Sequence, residues 1–156
     1  MAKGTYRMTA AMALTANATH YPRQGTVASD RPQELPTVSI SLHGNNANDV
    51  GMVFDLVQFD VAGTGGVATG ATYDDSRVTA TPPVGRESLT GAPTTNPKVL
   101  WGPHHLHPSD KAFNLELRDW RNRPIVVPAG KIWAWRVINP TGNSAPNVLI
   151  TQDFED

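Results

Sequence analysis

Three of the chain's five histidines stand in one short stretch, Gly102-Pro103-His104-His105-Leu106-His107-Pro108-Ser109-Asp110. Imidazoles two residues apart on a strand share a face. His105 and His107 are therefore the best candidate metal pair, with His104 or Asp110 as a third ligand. The preferred reading is plainer: a solvated or interface loop whose histidines serve as hydrogen-bonding groups, with no metal and no other cofactor. Other catalytic constellations are weaker. With no cysteines, thiol catalysis, zinc–thiolate sites and disulfides are excluded. No GxSxG or equivalent presents a serine nucleophile. Gly63-Thr64-Gly65-Gly66 imitates half of a dinucleotide fingerprint, but no amphipathic helix follows to supply the N-terminus that a phosphate cradle needs. Asp74 and Asp75 sit in a loop with no obvious partner. The chain is not expected to be an enzyme.

The remaining candidates are groups that bind. Trp133 and Trp135 lie on one face of a strand, about 7 Å apart. That face is either core or a sugar-stacking platform, and core is expected because the strand is apolar on both sides. Trp101 and Trp120 stand at strand edges beside His and Arg clusters, where an anchor role in a protein interface is natural. Arg118, Arg121 and Arg123 crowd one turn and are able to meet carboxylates on a neighbour, though a solvated turn is the default. The expected interface comprises Tyr6, Arg7, Met8, Tyr21, Arg23 and Arg31 from the N-terminal segment, with Trp101, Trp120 and Arg121 from the turns.

The elements that must position these groups read as β-strands. Val38 to Leu42 alternates apolar and polar residues, as do Phe113 to Arg118. Met52 to Val61 is the strongest run, and its apolar parity changes between Leu56 and Val57, which predicts a β-bulge or a change of sheet. Residues 62–97 read as loops with at most one or two short strands. Lys98 to Trp101, Ile125 to Val127, Lys131 to Ile138 and Val148 to Ile150 complete the set, with turns at 119–124 and 128–130. Thirteen glycines and thirteen prolines in 156 residues leave little room for long helices, and the only helical candidate is about Thr9 to Ala18. The fold class is all-β, an antiparallel β-sandwich of jelly-roll type over 37–156.

Residues 1–36 are expected to form an extended arm. Their large apolar side chains are few and widely spaced, and Pro22, Pro32 and Pro36 punctuate them. Ordering such a segment costs roughly 1–2 kcal/mol per residue, so contact with neighbouring chains is expected to hold it. Fully extended, it reaches on the order of 120 Å. The alternative is a terminal strand lying on its own sheet. The formal net charge of −1 provides no field for nucleic acid or an anionic membrane. No apolar run is long enough for a helical membrane span. The first twenty residues imitate a signal peptide only faintly, because Thr interrupts the apolar stretch. The protein is expected to be made and used in a cytoplasm or carried out inside a particle.

Two resemblances follow from these motifs. Pro128-Ala129-Gly130 and the strand after it resemble the second cupin motif, but Trp133 stands where that family has a metal-binding His. Lys111 and Ala112 stand where the first motif needs a Glu. The segment Leu115–Asp156 resembles the small β-sandwich proteins of tailed-bacteriophage particles: strand, short strand, PAG turn, long apolar strand, polar loop, and a last strand with an acidic end. That resemblance implies a capsid cement or head-decoration protein, located in a virion assembled in the host cytoplasm. Its implied partners are the major capsid protein or other virion subunits and itself, as a homotrimer, with no direct nucleic-acid contact. The rivals are a glycan- or receptor-binding module and a metal-dependent cupin-like enzyme.

Overall fold

The computed structural model describes residues 5–43, 49–70, 72–73, 84–107 and 112–155. In chain order the strands are β1 (Thr5–Ala13), β2 (Ala18–Thr26), β3 (Gln33–His43), β4 (Met52–Phe59), β5 (Val67–Gly70) and β6 (Thr72–Tyr73). They continue as β7 (Val84–Glu87), β8 (Lys98–Leu106), β9 (Ala112–Glu116), β10 (Ile125–Val127), β11 (Ile132–Asn139) and β12 (Asn147–Glu155). The chain is all-β. Its strands form two antiparallel sheets, ordered β10-β3-β12-β1-β6, with β9 also on β3, and β5-β7-β2-β11-β4-β8.

Strand alternation builds the core between the sheets. Val38, Ile40 and Leu42 of β3 and Val148, Ile150 and Phe154 of β12 face inward from the first sheet, opposite Met52, Phe54 and Leu56 of β4 and Trp133, Trp135 and Val137 of β11. The indole N–H of Trp133 donates to Gln33 Oε1 at 2.6 Å and that of Trp135 to Gln152 Oε1 at 2.9 Å. Each buried indole therefore keeps its polar end satisfied.

The N-terminal segment is not an arm. Residues Thr5 to Ala13 pair with β12 in unbroken register from Thr5↔Glu155 to Ala13↔Asn147, and β2 lies inside the second sheet between β7 and β11. Tyr6, Met8, Leu14 and Val27 join the common core. The sparse apolar residues suffice because they share a core with the rest of the chain. A small residue also makes room within the second sheet: Gly25 pairs with Trp133 on the neighbouring strand, and a Cβ there would lie 2.2 Å from Trp133 Cε2. The boundary at residue 36 falls inside β3, and the helical candidate at Thr9–Ala18 is the end of β1, a turn and the start of β2.

A β-bulge or irregularity does stand at Leu56/Val57, in the pairing with β8, but the parity change along β4 itself has another cause. β4 pairs with β11 in continuous register, so its side chains never change faces. The register shifts between Phe54 and Leu56 and between Leu56 and Val57 occur only against β8, which carries the extra residues. Val57 and Phe59 are apolar because the outer face of the second sheet has its own small cluster with Ile132 and Ala134. The loops of 60–66 and 88–95 join over it through the bridges Val61↔Thr94 and Thr64↔Gly91, and the Gly63 N–H donates to Gln24 Oε1 at 2.8 Å. The Gly63–Gly66 run thus belongs to a structural cover. The region expected as loops contains the three short strands β5, β6 and β7.

Candidate functional site

The most exposed large apolar side chain among the described residues is Trp120, at 84%. A tight polar turn presents it. Asp119 Oδ1 accepts the backbone N–H groups of Arg121 at 2.8 Å and Arg123 at 2.9 Å. Its Oδ2 accepts Arg123 Nε at 2.9 Å and Nη2 at 2.7 Å. The hydrogen bonds from the Arg123 side chain, followed by its backbone N–H, hold the Asp119 carboxyl below its ordinary value. Asn122 takes the left-handed conformation, φ 61°, which asparagine tolerates better than most residues. Arg118 turns back to Glu116 at 3.0 Å and to the Asn122 carbonyl at 3.2 Å. Arg118 and Arg123 therefore work inside the turn. Arg121 lies over the Trp120 ring, its Cζ 4.3 Å from the centroid, a cation–π contact.

Trp120 overhangs a groove of about 650 Å³ at one open side of the sandwich. One wall is Lys98-Val99-Leu100 of β8 and the other is Pro124-Ile125-Val126 at β10. Three consecutive residues line each wall. Across the face of a sheet only alternate residues would do so, which identifies both walls as strand edges. β8 ends the second sheet, and β10 flanks β3 at the end of the first. Val99 and Val126 are each 46% exposed. The groove is apolar in its middle and charged at its rim.

The expected interface residues divide three ways. Trp120 and Arg121 form the lip. Tyr6, Met8 and Arg23 are corrections, being buried inside the sandwich. Tyr6 stacks on Phe154 with ring centroids 5.2 Å apart. Burial pushes the Arg23 guanidinium down to about 10, against the opposing pull of Glu87. Its Nη1 donates to the Thr69 hydroxyl, while Nε and Nη2 find no hydrogen-bond partner among the described residues. The others are placed apart from the lip. Arg7 pairs with Asp153 at 2.7 Å across the outer face of the first sheet. Tyr21 packs edge-on against Phe59 on the outer face of the second, with centroids 6.1 Å apart. Arg31 is half-buried between β2 and β3. Trp101 is half-buried, stacked on His104 at 4.0 Å and edge-on to Trp135 at 5.7 Å.

The histidine stretch divides as well. His104 belongs to the tryptophan stack, His105 is exposed on β8, and the His107 ring bonds the Asp49 carbonyl. Asp110 lies outside the described residues, as do Asp74, Asp75 and Lys111. Among the described residues no group of three or more His, Cys, Asp or Glu side chains gathers in metal-ligating geometry. Ser144, His107 and Asp49 meet, but not as a triad: the Asp49 carboxylate takes the Ser144 hydroxyl directly. The imidazole reaches Asp49's main chain rather than the serine, so it is not placed as that hydroxyl's base. Trp133 and Trp135 are fully buried and provide no sugar platform. Lys98, Val99, Asp119 and Val126 were not singled out by the sequence. The signal for Asp119 was present in Asp119-Trp120-Arg121-Asn122-Arg123, where an Asp opens a turn by accepting N–H groups two and four residues on.

No family model matches the chain, and no curated protein matches it. Among solved structures it is similar to the Yersinia pseudotuberculosis-derived mitogen, with 13% identity, a TM-score of 0.36, and coverage of 94% of this chain and 83% of that one. It is also similar to a chain of infectious bursal disease virus Gx strain, with 10% identity, a TM-score of 0.27, and coverage of 99% and 42%. A third is the VP2 subviral particle of infectious bursal disease virus, with 11% identity, a TM-score of 0.24, and coverage of 98% and 41%. The chain spans about two-fifths of the length of those viral chains.

Proposed function

We propose that the chain is a non-catalytic structural protein of a virion, of the capsid-decoration or cement kind, that binds neighbouring subunits at the rim where β8 and β10 end the two sheets. The observation that carries the docking role is Trp120: a large indole held in solvent by a turn that the Asp119–Arg123 pair and the backbone N–H groups bound to Asp119 lock in place. Exposing an aromatic side chain on a rigid turn beside an apolar groove is unfavourable in isolation and favourable once a partner covers it. The virion assignment rests on the resemblance of Leu115–Asp156 to phage-particle proteins. The partners are the major capsid protein or other virion subunits, together with further copies of the chain in a homotrimer.

The test is mass by light scattering on the full-length protein and on Trp120→Ala, with circular dichroism to check that both are folded. The wild type is expected to form a defined oligomer that the variant loses without change in its spectrum. Two equally compact monomers would remove self-assembly through this rim. A glycan-binding reading competes for the same indole. Arg121 covers one face of that ring, and quenching of Trp120 fluorescence by free sugars would favour the glycan.

A further inference from the structure

The groove's walls narrow the kind of partner that fits it. β8 ends the second sheet and has one side without a strand neighbour among the described residues, and its Lys98-Val99-Leu100 stretch lines the groove. The β10 wall, by contrast, is partly closed by the Ile125 N–H donating to the Leu117 carbonyl at 3.4 Å and by the bridge Arg118↔Pro124. An unpaired edge offers main-chain donors and acceptors at strand spacing, which an extended chain satisfies better than a helix or a folded surface. The charge at the rim selects further. Asp119 is neutralised by Arg123, and Glu34 is half-buried and already engaged. Lys98 at the start of β8 and Arg121 on the lip have no carboxylate partner among the described residues.

We propose that the free edge of β8 takes up an extended acidic segment of a neighbouring protein chain, added as a strand, with its apolar side chains against Val99 and Trp120 and its carboxylates toward Lys98 and Arg121. This rests on the docking reading above and names its partner's chemistry. The charges set direction and selectivity, while the strand pairing and the indole supply most of the contact.

The probe is a blocked synthetic peptide of roughly nine residues, alternating Val or Thr with Glu, compared with the same peptide carrying Lys in place of Glu. Each is titrated into the full-length protein and followed by amide and indole resonances. The expected result is shifts at Lys98–Leu100 and at the Trp120 indole, with the acidic peptide bound on the order of tenfold more tightly than the lysine one. The double variant Lys98→Glu with Arg121→Glu is expected to reverse that order. Shifts elsewhere, no binding, or equal binding of the two peptides overturns the proposal. If the peptides fail while Trp120→Ala still abolishes the oligomer, strand addition falls and the docking reading stands.

Discussion

Asp119 is the residue on which the presentation of Trp120 depends. Its two carboxylate oxygens accept from two backbone N–H groups and the Arg123 guanidinium, so they fix both the path of the turn and the direction of the indole. Asp119→Asn removes the charge that draws in Arg123 and supplies one carbonyl oxygen where the turn uses two carboxylate oxygens. That variant is expected to keep the fold and to lose at least part of the association that Trp120 mediates. The pH dependence has a definite sign. The folded carboxyl titrates below its ordinary 3.8, because hydrogen bonds from Arg123 favour the charged form. Its contribution is therefore complete above 3.8 and is lost as pH falls through the lowered folded value. The Trp120 indole resonance should hold its position from neutral pH down to the ordinary carboxylate range and move only below it. A transition near neutral pH would show that another group holds the turn.

At the scale of elements, β1 and β2 explain both what the sequence disclosed and what it hid. Val38–Leu42 and Phe113–Leu117 read as strands because large apolar residues alternate with polar ones, and the structure has β3 and β9 there. β1 has the same period in Tyr6, Met8, Ala10 and Met12, but its inward positions shrink to alanine and its outward ones include Ala11 and Ala13. The contrast between faces is weak. β2 hides its role more completely, since Arg23 and Gly25 occupy inward positions normally held by apolar side chains; only its pairing with Trp133 and Trp135 reveals why. The groove was less legible still, because its walls come from β8 and β10, which meet only through the packing of the two sheets. Two expectations follow from the corrected arm. Deleting residues 1–36 removes β1, β2 and the start of β3, and the product is expected to lose its β circular dichroism rather than merely its partners. Gly25→Ala places a methyl group where the Trp133 ring now lies and should destabilise the protein by about 1–3 kcal/mol in urea unfolding. A folded, stable truncation would restore the arm.

For the whole molecule, the four tryptophans separate stability from association. Trp133 and Trp135 lie fully inside the sandwich, with their N–H groups bound to Gln33 and Gln152. Trp101 bridges core and surface through its contacts with Trp135 and His104. Trp120 contacts little but Arg121 and solvent. Trp133→Ala leaves a large cavity and an unpaired Gln33 amide oxygen, so a loss of roughly 3–5 kcal/mol is expected. Trp120→Ala removes no core contact, and its monomer should unfold within about 0.5 kcal/mol of the wild-type monomer. The comparison must be made at low protein concentration, because an oligomer binds the folded state and adds apparent stability by mass action. Under those conditions the wild-type unfolding midpoint should rise with protein concentration while that of Trp120→Ala stays flat. Equal concentration dependence in both would place the interface away from this rim. A large loss of stability in Trp120→Ala at every concentration would mean that the indole serves the fold and not a partner.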